Sequence, residues 1–202
     1  MKKLFIIFAI LAVTTMMAQE KTMFGSSPDI SHGGFGAPVV KFTSINGEFG
    51  VLAGGRGGWL INHQISLGIA GYGLATNTQL DGFADGKVRY LDFGYGGFEL
   101  EYIMANNEVI HLTVSGLIGA GGTNYRFSND YYDGYDWDEN EVNSDAFFVG
   151  EPTVNAELNV TTFFRINVGI GYRFVSGSNN NYITDSELSG VSGQIQLKFG
   201  SF

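Results

Sequence analysis

Residues 163–174 read Phe163-Phe164-Arg165-Ile166-Asn167-Val168-Gly169-Ile170-Gly171-Tyr172-Arg173-Phe174. Every even position is apolar, whereas the odd positions after Phe163 are Arg, Asn, Gly, Gly and Arg. A strand alternates its side chains between two faces, so this stretch carries one apolar face about 20 Å or more long, backed by a polar one. That pattern fits a lipid-facing transmembrane β-strand whose polar face looks into a barrel. In a soluble sandwich the same alternation would turn the apolar face into a core, and one short segment does not separate the two. The rest of the chain has to decide.

The 202 residues suit one domain, and 30 Gly with 14% aromatics and only 3 Pro point to a β-rich chain. The glycines have no three-residue period, which excludes collagen. Lys2 and Lys3, the ten apolar residues Leu4 to Val13 and the small residues up to Ala18 predict a signal peptide over residues 1–18, cleaved near Ala18. The apolar run is too short for a membrane helix of about 20 residues. Without the leader the formal charge goes from -9 to -11. So acidic a chain is not drawn to phosphates, and no nucleic-acid partner is expected. The absence of Cys excludes disulfides, thiolate metal sites and cysteine nucleophiles. No cofactor is expected.

Residues 19–34 lack periodicity and read as a periplasmic lead-in, with a barrel domain over residues 35–202. Eight strands follow. Strand 1 turns Pro38, Val40 and Phe42 outward and Lys41 and Thr43 inward, then ends at Asn46-Gly47, a strong hairpin signal. Strand 2 sets Phe49, Val51, Ala53, Trp59 and Ile61 against Glu48 and Arg56. In strand 3, Ile65, Leu67 and Ile69 alternate with polar residues and glycine. In strand 4 the apolar parity switches at Gly96-Gly97, from Leu91, Phe93 and Tyr95 to Phe98, Leu100 and Tyr102. A β-bulge there would leave Asp92, Glu99 and Glu101 all inward. Strand 5 turns His111, Thr113 and Ser115 inward, strand 6 Glu151, Thr153, Asn155 and Glu157, strand 7 Arg165 and Arg173, and strand 8 Gln194, Gln196 and Lys198. Loops of about 11 to 18 residues (76–86, 128–145 and 176–189) alternate with short turns, as in bacterial membrane barrels. The expected fold is therefore all-β: an eight-stranded, antiparallel, up-and-down transmembrane β-barrel in the outer membrane of a diderm bacterium. A soluble lipocalin-type barrel would have to leave five cations and six acids of the polar faces outside.

The last strand, Gln194-Ile195-Gln196-Leu197-Lys198-Phe199-Gly200-Ser201-Phe202, resembles the closing strand of outer-membrane barrel proteins. Over residues 35–202 the chain is similar in architecture to the small barrels related to the membrane domain of OmpA and to OmpX. The resemblance implies recognition of the C-terminal strand by the barrel assembly machinery through Phe199 or Phe202. Phe199 keeps the parity of Ile195 and Leu197, whereas Phe202 does not, so either a terminal bulge intervenes or Phe199 is the aromatic concerned.

Three sets of residues could carry chemistry. The inward charges Lys41, Glu48, Arg56, Asp92, Glu99, Glu101, Glu151, Glu157, Arg165, Arg173 and Lys198 would fill a lumen only wide enough for side chains. Unpaired buried charge is costly, so they are expected to pair and plug it, with a narrow ion or small-molecule path as the alternative. The acidic loop offers Tyr131, Tyr132, Tyr135 and Trp137 as a recognition surface for a ligand. It also holds Asp136, Asp138 and Asn140 at alternate positions, but Glu141 stands where a calcium loop has Gly, so the EF-hand match fails. Finally, lipid A deacylases are small barrels with a His, Ser and Glu constellation on the outer face. Here the strand pattern turns His111 and Ser115 inward, away from an ester substrate. The expectation is a monomeric, non-enzymatic barrel in outer-membrane lipid, with an envelope structural or surface-interaction role.

Overall fold

The computed structural model describes residues 30–80, 89–127, 144–178 and 182–202. From Ser31 onward the chain forms one unit. Its strands are β1 (His32–Ile45), β2 (Glu48–Ile61), β3 (Ile65–Leu74), β4 (Thr78–Leu80), β5 (Arg89–Ile103), β6 (Ile110–Phe127), β7 (Asp145–Asn159), β8 (Phe164–Ser176) and β9 (Gly190–Ser201), with one short helix, α1 (Asp185–Leu188). Neighbours in sequence pair antiparallel except that β3 pairs with β5 and not with β4, and β9 returns to β1, so the sheet closes. The three-residue β4 pairs with β5 beyond the end of β3. The barrel proper therefore has eight walls, and closure removes the unpaired edges of an open sheet.

The connections differ at the two ends. At one end, that of the barrel's own termini, lie the start of β1, the end of β9 and the short turns after Ile61, Ile103 and Asn159. The other, the loop end, carries the longer connections and the Asn46-Gly47 turn. Asn46 (φ 54°) and Gly47 (φ 75°) both adopt the left-handed backbone that lets a two-residue turn follow the twist of its strands. β1 begins three residues before the expected Phe35, because Gly33 and Gly34 pair with β2 yet carry no side chain to show a period. Pro38 and Pro152 each leave a gap in one ladder. The β1–β9 pairing skips Ala37 and Pro38 and the β7–β8 pairing skips Glu151 and Pro152, since proline has no N–H to donate.

The alternation read from residues 163–174 is present in three dimensions. Val168, Ile170, Tyr172 and Phe174 are exposed, whereas Arg165, Asn167 and Arg173 are buried in the barrel. The same exposed apolar belt runs around the wall through Phe42, Trp59, Ile69, Leu100, Leu112, Val154 and Ile195.

One expectation is overturned in β5. Its pairings with β3 and with β6 advance residue for residue through Gly96 and Gly97, so there is no bulge. Leu91, Phe93 and Tyr95 therefore share the inward face with Glu99 and Glu101, and all five are buried. Asp92, expected inward, lies on the outward parity between buried Leu91 and Phe93. The parity of the apolar residues changes along β5 because the filling of the lumen changes. Toward the loop end the interior is apolar, with Leu52, Tyr72, Leu91, Phe93, Phe147, Val149 and Val175 in one cluster; toward the termini it is charged. Inward glycines make room for that plug. A Cβ at Gly54 would collide with Tyr72, and one at Gly121 with the Phe147 ring.

The connection expected to be an Asn- and Ser-rich loop contains α1, which packs onto the apolar cluster at the loop end. Thr184 caps it: its hydroxyl takes the Glu187 N–H while the Glu187 carboxylate takes the Thr184 N–H at 2.7 Å. Ile183 and Leu188 are fully buried in the apolar cluster, and the Glu187 carbonyl accepts the Asn46 N–H at 3.1 Å.

Candidate functional site: the filled lumen

Below the apolar plug, inward positions of seven strands line a polar interior. From β1, the Lys41 ammonium reaches Glu151 Oε2 on β7 at 2.5 Å, and the Tyr95 hydroxyl from β5 donates to the same oxygen at 2.9 Å. Ser192 from β9 donates to Glu151 Oε1 at 3.0 Å. Arg56 on β2 pairs with both Glu99 and Glu101 of β5 and donates to Gln196 Oε1 at 3.2 Å. Lys198 on β9 pairs with Glu101 Oε1 at 2.7 Å and with Glu157.

Glu157 is the hub toward the termini. Its carboxylate accepts from Lys198, from Arg165 Nη1 at 2.9 Å and from Asn167 Nδ2 at 3.1 Å, and it faces His111 Nε2 at 3.2 Å. The other His111 ring nitrogen faces the Glu108 carbonyl at 3.3 Å. The network is buried and multiply bonded, as buried ions need.

The sequence-assigned charges divide as follows. Lys41, Arg56, Glu99, Glu101, Glu151, Glu157, Arg165, Arg173 and Lys198 are all buried inside the barrel. Glu48 has inward parity but sits at the strand end next to the Asn46-Gly47 turn, exposed and outside the network. Asp92 is on the wall's outer side. The sequence reading missed Tyr95 as a ligand of Glu151 and did not link His111 to Glu157; extending the Glu99–Glu101 parity back across the glycine pair would have found Tyr95. Tyr131, Tyr132, Tyr135, Trp137, Asp136, Asp138 and Asn140 lie outside the described residues. Among the described residues no group of three His, Asp or Glu could hold a metal ion.

Ser115 and His111 do not meet. The Ser115 hydroxyl bonds Thr153 Oγ1 at 2.5 Å while His111 is held by Glu157 and Glu108, and both side chains are buried in the lumen. A nucleophile needs contact with its base, and this pair has none.

The C-terminal aromatics also part. The β8–β9 and β1–β9 registers contain no bulge, so Phe199 faces outward and stacks on Phe164, ring centroids 4.9 Å apart. Phe202 instead lies over the Arg165 guanidinium, 3.9 Å from ring centroid to Cζ, and stacks on Phe35 at 6.3 Å.

A closed, all-antiparallel, eight-stranded wall with an apolar belt outside and paired charge inside is a small barrel of the outer-membrane type, the architecture expected from the resemblance. Solved structures with the same fold include Neisserial surface protein A, 9% identical with a TM-score of 0.56 over 86% of this chain and 99% of that one. The N-terminal β-barrel domain of Pseudomonas aeruginosa OprF is 11% identical, with a TM-score of 0.50 over 83% of this chain and 96% of that one. Ail, the attachment invasion locus protein of Yersinia pestis, is 10% identical, with a TM-score of 0.50 over 84% and 97%. Likeness at such identities establishes the fold. No protein-family profile and no curated protein matches the sequence.

Proposed function

We propose that the chain is a non-enzymatic, monomeric outer-membrane barrel with a closed lumen, serving an envelope structural or surface-interaction role through its external loops. The supporting observation is the filling of the interior along its length. Paired charge occupies the half near the termini, aromatic and aliphatic side chains occupy the other half, and Ile183 and Leu188 of the α1 connection seal that end. Eight strands leave space only for side chains, and this lumen uses it. The apolar belt faces lipid, the β9 strand presents Phe199 to the assembly machinery, and recognition is assigned to the loop end, where the acidic, aromatic segment 128–143 emerges.

The test is single-channel recording from the refolded full chain in planar bilayers, with binding of intact cells or surface glycans measured before and after replacing residues 130–143 with a Gly-Ser linker. The expected result is no conductance steps, with surface binding that depends on the segment. Regular steps from the native barrel would replace this reading with an ion conduit.

A further inference from the structure

The buried charges do not balance. Among the described residues, five buried Lys and Arg side chains, Lys41, Arg56, Arg165, Arg173 and Lys198, face four buried carboxylates, Glu99, Glu101, Glu151 and Glu157. The imbalance is local. Toward the termini, Arg56, Lys198 and Arg165 meet Glu99, Glu101 and Glu157, three against three, in direct ion pairs. Nearer the loop end, Lys41 and Arg173 share the neighbourhood of one carboxylate, Glu151. Both cations lie near the same aromatic ring, Lys41 Nζ at 5.6 Å and Arg173 Cζ at 5.7 Å from the Tyr95 centroid.

Glu151 is already committed. Its two oxygens take Lys41, Tyr95 and Ser192. Arg173 is fully buried, and its Nε donates to the Leu188 carbonyl at 2.7 Å, beneath the α1 cap. Its Nη1 and Nη2 have no hydrogen-bond partner among the described residues. Its Cζ lies over the Phe93 ring, 5.0 Å from the centroid. Ring faces satisfy part of a cation's field but accept none of its in-plane N–H bonds. A buried guanidinium with both terminal nitrogens unbonded and no carboxylate of its own is among the most costly arrangements in a protein interior.

We propose that Arg173 is an anion-binding site: a small monovalent inorganic anion of the chloride class, held by Nη1 and Nη2 under the α1 cap, completes the lumen's charge balance. The guanidinium fork offers two parallel donors in one plane, which suits an anion approaching edge-on, opposite the Nε bond to Leu188. The enclosing Phe93, Tyr95 and Leu188 favour a small, weakly hydrated ion over a polyvalent phosphate, whose further charge nothing here would meet. The bound ion would be structural and would stabilise the folded barrel by mass action.

The test uses the refolded full chain. Crystals soaked in bromide and measured at the bromine absorption edge should show an anomalous peak within hydrogen-bond reach of Arg173 Nη1 and Nη2. In parallel, the thermal unfolding midpoint at constant ionic strength should rise, saturably, as gluconate is replaced by chloride or bromide, and Arg173→Gln should abolish that dependence. Should the variant not refold, the bromide experiment on the native chain still decides. A map with bromide only on the barrel exterior, or a native midpoint indifferent to halide, overturns the proposal.

Discussion

Lys198 Nζ donates to Glu101 Oε1 at 2.7 Å, joining strands 97 residues apart across the barrel interior, and the same ammonium pairs with Glu157. One cation therefore holds two carboxylates that would otherwise repel each other. Removing it leaves both buried with less neutralisation, so Lys198→Met is expected to cost about 3 to 5 kcal/mol, the range for breaking a fully buried pair. Urea unfolding of the refolded protein in lipid vesicles measures it. Glu48→Gln, at the exposed end of β2, should stay within about 0.5 kcal/mol; comparable losses in the two variants would dismiss the network as a source of stability.

Depth in the membrane separates two equally exposed outward positions. Ile170, 60% exposed, lies mid-strand in β8, and Phe49, 69% exposed, lies beside the Asn46-Gly47 turn. Arginine on a barrel's lipid face costs roughly 2 to 4 kcal/mol near the midplane and about 0 to 1 near the interface. Ile170→Arg should accordingly impair refolding into bilayers far more than Phe49→Arg. A soluble barrel would show no such gradient, and equal refolding yields would remove lipid from the account of this face.

What the sequence made legible follows from this two-sided wall. Where one face meets an apolar medium and the other a polar lumen, as along Arg165–Phe174, alternation alone assigns both faces. In β5 the rule that apolar means outward breaks down between Leu91 and Tyr95, because there the lumen itself is apolar; the switch of parity reflects a change of filling, not of backbone. Glu48 and Asp92 were drawn into the lumen set by the same reasoning, which treats every charge in a strand as inward and ignores strand ends. The α1 cap carried a readable signal, Thr184-Asp185-Ser186-Glu187, a capping box, hidden in a segment dominated by Asn and Ser. Contacts such as Tyr95 to Glu151 depend on which strands face each other across the closed barrel, which no local pattern encodes.

The cap gives a graded pair of substitutions. Thr184→Ala removes the side-chain half of the capping box and should cost about 0.5 to 2 kcal/mol, confined to the connection. Leu188→Ala removes a fully buried side chain from the apolar cluster and should cost about 2 to 5 kcal/mol. Amide exchange resolves the two: Thr184→Ala should accelerate exchange only around 184–189, whereas Leu188→Ala should also expose amides of β8 and β9 near Arg173 and Gly190. Unchanged protection in Leu188→Ala would mean that the cap does not seal the barrel.

The two C-terminal phenylalanines should separate assembly from stability. Phe199 faces outward on β9 and stacks on Phe164, so it is available on the lipid side when the last strand is presented. Phe202 is half-buried, turned onto Arg165 and Phe35 at the mouth near the termini, and its ring is freer in a chain that has not closed. If the assembly machinery reads the outward aromatic, Phe199→Ala should slow assembly in proteoliposomes containing that machinery several-fold, with a smaller effect on spontaneous refolding in detergent. Phe202→Ala should leave the catalysed rate near that of the native chain. It should lower stability by about 0.5 to 2 kcal/mol, the scale of a lost cation–π contact. The opposite pattern, with Phe202 governing the catalysed rate and Phe199 dispensable, would show that recognition precedes closure of the mouth and does not depend on strand parity.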